Sequence, residues 1–279
     1  YRNHRPISEP HKTSTFMNIN WKKSGIVAAI LAIIFLTAFA IEQQSEVTCW
    51  VMEIKLDVSA EEALITERQI EKEIIGIGTP ILGAPINDVN LYKIQTALNS
   101  NPLIKNPTVH KTVDGKLKIN AEQRVPFVRI INVEGESFLV DKDGVKMPTL
   151  SSRNPRLMLF TGRINESLDG TTLSLLKVNE ELRESSLLDE IFQVATFIET
   201  SDFWVNQVEH VYVNEEKEFE LVPRVGSHKI LLGESENIED KLNRLEVFYK
   251  ETIGKQNWNK YSTLDLRFKD QVVCKEINY

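Results

Sequence analysis

Apolar and polar side chains alternate along this chain in ways that divide it into segments of different kinds. From Gly25 to Ile41 no side chain is charged, Thr37 is the one clearly polar group, and with Ser24 the run is 18 residues. That length falls within the about 17–25 residues that cross a bilayer as a helix, and no polar face interrupts it. Further on, Trp50, Met52, Ile54, Leu56 and Val58 alternate with a set that includes Glu53, Lys55 and Asp57, the period of two of a half-buried strand. Thr66 stands three residues before Gln69, with Ile65 and Ile70 spaced as a hydrophobic staple, which predicts a helix to about Ile75; Ser59 with Glu62 is an alternative cap. A second helix is predicted over Asp88–Asn99, apolar at Leu91, Ile94 and Leu98 and stopped by Asn99-Ser100-Asn101-Pro102. Two short runs then flank Asp114-Gly115, a dipeptide that accepts the positive φ angles of a tight hairpin, with Leu117, Ile119 and Ala121 inward. The predicted order is strand, helix, helix, strand, strand.

From Val125 onward short strands dominate. They are predicted over Phe127–Ile131, Phe138–Val140, Leu157–Phe160, Val208–Val213, Phe219–Val225 and Lys229–Leu232, with turn signals between them. Two amphipathic helices interrupt, Leu187–Thr200 and Ile238–Ile253. A final strand, Thr263–Phe268, sets Leu264, Leu266 and Phe268 on one side and Thr263, Asp265 and Arg267 on the other. The fold class that follows is α+β: a single amino-terminal transmembrane helix, a small βααββ unit, and a larger, mainly antiparallel β unit with two helices. The expected boundaries are a tail at residues 1–23, the span at 24–41, the small unit at 46–124 and the larger one at 125–279.

Charge gives the span a direction. The tail carries Arg2, Arg5, Lys12, Lys22 and Lys23 against Glu9, hence +4, and the remaining 28 basic and 39 acidic residues leave −11 after residue 41. Positive charge beside a span stays in the cytoplasm, so the tail is expected inside and the acidic bulk outside. A secretory signal sequence is the alternative, with Ala38-Phe39-Ala40 in the small-x-small form. Against it, the apolar run exceeds the roughly 7–15 residues of a signal core. Met17 is a candidate start codon, with residues 1–16 then an upstream extension. The acidic balance argues against nucleic acid as a partner, which needs clustered cations.

Catalytic signatures are missing. The histidines beyond the span are His110, His210 and His228, too scattered for an HExxH site, and His110 and His210 read as strand-face residues. There is no Gly-x-Ser-x-Gly elbow and no glycine-rich phosphate loop. Asp141-Lys142-Asp143-Gly144 opens like a calcium loop but has Ser152 where the closing glutamate belongs, so a hairpin turn is the better reading. Cys49 and Cys274 read as ordinary strand residues rather than a disulfide. Trp50 is close enough to the span to touch the membrane interface, although its place in the apolar alternation favours the core. The expectation is no catalytic residue, no metal, no cofactor and no small-molecule substrate.

Several stretches resemble the FtsQ/DivIB family of bacterial cell-division proteins. Leu98-Asn99-Ser100-Asn101-Pro102-Leu103-Ile104 through Leu117-Lys118-Ile119-Asn120-Ala121-Glu122-Gln123-Arg124-Val125-Pro126 is similar to the end of that family's POTRA-type domain. Phe138–Val145 resembles its LVD-x-x-G turn, Ile230-Leu231-Leu232-Gly233 with the Lys241–Leu245 helix its I-x-LG…KL segment, and Leu264-Asp265-Leu266-Arg267-Phe268 its VDLRY strand. The resemblance implies a non-enzymatic protein of the cell inner membrane, with its amino terminus cytoplasmic and its two domains periplasmic. It implies FtsB-like and FtsL-like coiled-coil partners, other divisome components, and help in recruiting and regulating septal peptidoglycan synthesis.

Carried onto matching positions, partner binding falls on Arg267 and Phe268, framed by Leu266 and Asp265, at an exposed terminal strand. Phe268 stands where the family has tyrosine, which removes a hydroxyl bond, and Lys269-Asp270-Gln271 lacks the glycine usual after that strand. Burial of Phe268 beside Leu264 and Leu266 is the competing assignment. Two other functions compete at the level of the whole chain: a POTRA-bearing assembly or transport factor that holds client polypeptides, and a membrane-tethered cell-wall hydrolase.

Overall fold

The computed structural model describes residues 26, 29–37, 39, 47–58, 63–149, 155–168, 186–251 and 260–277. Within the amino-terminal apolar run, residues 26, 29–37 and 39 are helical, and Ile30, Leu31, Ile33, Ile34, Phe35 and Leu36 are exposed. Among the described residues no helix is long and apolar enough to cross a membrane; both ends of the 24–41 segment lie outside them.

The first sheet comprises β1 (Val51–Asp57), β2 (Ile104–Lys111) and β3 (Lys116–Gln123) in the order β1-β3-β2. β1 runs parallel to β3 and β2 antiparallel to it. Two helices lie between β1 and β2 in sequence, α1 (Glu67–Gly76) and α2 (Leu91–Ser100). α1 starts as predicted: Thr66 and Gln69 form a complete capping box, and the staple residues Ile65 and Ile70 are buried. α2 starts three residues later than the pattern suggests, because the Asn90 side chain accepts from the Lys93 amide and fixes the cap there. Ile70, Ile74, Ile94 and Leu98 pack on Leu117 and Ile119, which the alternation of β3 turns inward.

The second sheet has nine strands in the order β12-β11-β10-β9-β8-β7-β4-β5-β6. They are β4 (Pro126–Ile131), β5 (Ser137–Asp141), β6 (Lys146–Pro148), β7 (Met158–Gly162), β8 (Val208–Val213), β9 (Phe219–Pro223), β10 (Lys229–Gly233), β11 (Tyr261–Asp265) and β12 (Val273–Glu276). The sheet is less antiparallel than the pattern suggests: β4–β7, β7–β8 and β10–β11 pair parallel, and the five other described pairings are antiparallel. Helices α3 (Leu188–Thr200), α4 (Trp204–Gln207) and α5 (Ile238–Glu251) account for the β7–β8 and β10–β11 pairings, since an intervening helix can return the chain to the edge where it began, whereas β5 and β6 lie between β4 and β7 in sequence. α3 and α4 join β7 to β8, and α5 joins β10 to β11. Ile191, Val194 and Ile198 of α3 and Leu242, Leu245 and Tyr249 of α5 build the core with Val128, Ile130, Phe160, Val211 and Ile230.

Two short strands, β6 and β12, are absent from the sequence-based assignment. They run for three and four residues, too few for a period of two to stand out. Leu139 of β5 and Met147 of β6 are fully buried in the core of the first sheet rather than that of their own. The two sheets therefore share a dry contact at the β5–β6 end.

Trp50 corrects the expectation of a core residue. It precedes β1, and its ring is exposed at the end of the first sheet. The alternation extends one residue before the start of the strand, where the ring is no longer covered.

Candidate partner-binding surface

The carboxyl-terminal strands hold the residues singled out from sequence. β11 ends at Asp265 rather than Phe268, and it lies between β10 and β12, so it is not an edge strand. The edge is β12, whose outer side has no partner among the described strands. Leu264 and Leu266 are fully buried, as their spacing predicts. Phe268 leaves that row and is 48% exposed, because the chain turns away after Leu266. The Leu266 amide still reaches the Leu231 carbonyl at 2.9 Å, and by Asp270 the backbone has a φ of 60°. Core placement of Phe268 is thereby excluded.

Asp265 and Arg267, separated by one residue, form a local clamp. The Arg267 guanidinium donates from Nε to Asp265 Oδ1 at 2.9 Å and from Nη2 to Oδ2 at 2.7 Å, a bidentate fork. The Arg267 amide donates to the same Oδ1 at 3.1 Å, and Nη1 reaches Glu218 Oε2 at 3.1 Å. Hydrogen bonds from Arg267 hold the Asp265 carboxyl below the usual carboxylate range, against its partial burial. The same bonds raise the Arg267 pKa. The arginine stem lies over Gly233, where a Cβ would meet Arg267 Cγ at 2.8 Å. Gly233 also has a φ of +76°, so a side chain is excluded twice over. Beneath this group, Arg244 of α5 donates to the carbonyls of Leu266 at 3.3 Å and Phe268 at 3.4 Å, tying the turn to the helix.

The four candidates thus have three different settings. Asp265 and Arg267 bind each other, Leu266 is core, and Phe268 faces solvent. The family resemblance pointed to Arg267 and Phe268 but not to their supports Glu218, Gly233 and Arg244, which come from distant elements.

The Asp141–Gly144 segment is a hairpin turn. Asp141 Oδ1 accepts from the amides of Asp143 and Val145 at 2.9 and 2.8 Å, and the charge next to it is Arg124. Among the described residues no group of three or more His, Cys, Asp or Glu is arranged to hold a metal ion. Cys49 and Cys274 are free thiols, and burial pushes the pKa of each up. A concavity of about 590 Å³ at the foot of β7 and β8 brings Arg129, Arg156, Arg224 and His210 beside Glu199 and Glu209. No sequence motif links these six: Glu209 and His210 are neighbours on β8, and the other four come from separate parts of the chain.

The geometry is that of a protein with a small POTRA-like sheet, a large mixed sheet and a clamped carboxyl-terminal turn. Comparison with known proteins agrees. Residues 47–122 match a POTRA-like domain, and residues 125–275 match the family model FtsQ/DivIB, C-terminal related. That second match covers more than half of the chain, which belongs to the FtsQ/DivIB family. Over 96% of its length the chain is also 23% identical to the cell division protein FtsQ of Rhodothermus marinus, covering 94% of that protein.

Proposed function

We propose that this protein is a membrane-anchored scaffold of the cell-division machinery that works by binding partners rather than by catalysis. Residues 1–23 form a cytoplasmic tail, 24–41 the anchor, 46–124 the POTRA-like domain and 125–279 the partner-binding β domain outside the inner membrane. FtsB-like and FtsL-like coiled-coil proteins are its partners, and through them it helps recruit and regulate septal peptidoglycan synthesis.

The observation that carries this reading is the outer edge of β12, without a partner among the described strands, together with the exposed ring of Phe268 in the segment between β11 and β12, in a member of this family. An open edge offers backbone amides and carbonyls to an added segment, and a nearby aromatic supplies an apolar anchor. Asp265 and Arg267 then act mainly by holding the turn that presents Phe268.

Depletion of the protein from its own cells tests the proposal. Long filaments without septa are the expected result, and unchanged division overturns it.

A further inference from the structure

The exposed end of the first sheet carries a group of side chains that the function above does not use. Trp50 is 60% exposed, Leu82 50% and Val113 77%, and all three belong to adjoining backbone. The Trp50 amide donates to the Gly115 carbonyl at 3.1 Å, and its indole Nε1 donates to the Asp114 carbonyl at 2.7 Å. The Cys49 carbonyl accepts from the Gly83 amide at 2.7 Å, which brings the Leu82 loop to the same end. Gly115 closes the β2–β3 hairpin with a φ of +83°, and a Cβ there would meet the Thr48 carbonyl oxygen at 2.5 Å. The hairpin tip is therefore pressed against the segment that enters β1. The tip thus presents three apolar side chains in a fixed shape, with the exposed Asp114 carboxylate beside them and 3.7 Å from the Lys116 ammonium.

From this placement we infer that the Trp50–Leu82–Val113 tip rests in the headgroup layer of the bilayer that holds the anchor, and so sets how the ectodomain stands on the membrane. The inference rests on the anchor assigned to residues 24–41. Two observations select lipid as the occupant.

The first is chain length. Five residues, 42–46, separate the end of the apolar run from Val47, which packs against the core of the first sheet. Six backbone steps span at most about 20 Å, so the tip is held within a short distance of the hydrocarbon boundary.

The second is chemistry. The headgroup layer suits a ring that is apolar on its face and polar at one edge. Here the indole N–H already has its acceptor inside the protein, so seating the ring in lipid leaves no donor unpaired. The Lys116 ammonium lies 5.3 Å from the Trp50 ring centroid and 3.0 Å from Glu53 Oε1, a paired cation on an apolar stem.

The test uses the full chain reconstituted in phosphatidylcholine vesicles, with Cys274→Ser removing the partly buried thiol while Cys49 stays buried. An environment-sensitive fluorophore is attached at Val113→Cys, at the tip, or at Val125→Cys. Val125 is exposed beyond the far end of the eight-residue strand β3, roughly 25 Å away. Lipids carrying a nitroxide at the headgroup serve as quencher. The expected result is a blue-shifted emission and at least twofold quenching at position 113, with neither at 125. Adding Trp50→Ser and Leu82→Ser should remove most of the effect at 113. Equal, unquenched emission at both positions in protein that floats with the vesicles overturns the tip and leaves the anchor standing. Protein that fails to float overturns the anchor, and the tip with it.

Discussion

Arg124 Nη1 lies 2.7 Å from Asp141 Oδ2, and this ion pair joins the segment leaving the first sheet to the β5–β6 hairpin of the second. The same guanidinium reaches Asp143 at 3.3 Å, and Lys105 of β2 binds Asp143 as well. Beside these charges, Leu139 and Met147 enter the core of the first sheet. Arg124→Ala leaves a nearly fully buried carboxylate without its cation, which should lower stability by about 2–3 kcal/mol. Urea unfolding measures it. If the two sheets then melt separately, the pair couples them; a single unshifted transition contradicts that role.

The Asp265–Arg267 clamp predicts an acid-sensitive carboxyl-terminal turn. The carboxyl titrates lower in the folded chain than the about 3.9 of an unfolded Asp. Its stabilisation is therefore complete above pH of about 4 and is lost as pH falls through the folded value. Asp265→Asn should lose less stability than the parent chain between pH 5 and pH of about 3. Arg267 is partly exposed, so the difference should be no more than about 1 kcal/mol. Parallel pH-dependence in the two proteins would falsify the clamp.

Gly233→Ala should act on the same turn from the opposite side. Its methyl group would collide with the Arg267 stem and strain a left-handed backbone. The expected cost is about 1–3 kcal/mol, with reduced acid sensitivity as Arg267 is pushed from Asp265. Unfolding curves at neutral and acidic pH separate the two effects.

Phe268→Ala isolates recognition from folding. Because the ring is about half exposed, the melting temperature should stay within 1–2 °C, roughly the consequence of a ±0.5 kcal/mol surface change. Co-purification of an FtsB-like partner should fall about tenfold or more if the ring is an interface anchor. Arg267→Glu is the less clean variant, since it brings a third carboxylate next to Asp265 and Glu218 and damages the turn itself. Full partner recovery with Phe268→Ala would remove this ring from the interface.

Tyr249→Phe probes the core beneath α5. The Tyr249 hydroxyl and His228 Nε2 are 2.6 Å apart in a buried setting, and burial pushes the phenol pKa well up. Removing the hydroxyl deletes that bond and should cost about 1–2 kcal/mol. Thermal unfolding of the two proteins in the same buffer provides the measurement.

Much of the local structure was legible before any coordinates. The Thr66–Gln69 capping box, the inward Leu117 and Ile119, and the apolar faces of α3 and α5 depend on contacts within a few residues or on one strong period. The misreadings have a common origin. Trp50 and Phe268 each continue an apolar alternation past an end of a strand: Trp50 precedes β1, and Phe268 follows β11 where the chain turns. Strands β6 and β12 are too short to show a period, and the β7–β8 and β10–β11 parallel pairings depend on where a helix returns the chain.

For the candidate site, the sequence placed Asp265 and Arg267 one residue apart, and the motif around them was recognisable. That spacing alone put both on the same face of a strand. The folded turn bends the guanidinium back onto the carboxylate, over a glycine contributed by β10 and beside a glutamate from the β8–β9 turn. By itself the sequence determined the segment order, the direction of the charge imbalance and the apolar faces, because each follows from local periodicity or simple charge. Only the tertiary structure decided that β12 is the open edge, that Phe268 faces solvent and that Arg267 is already paired, since these depend on which distant backbones become neighbours.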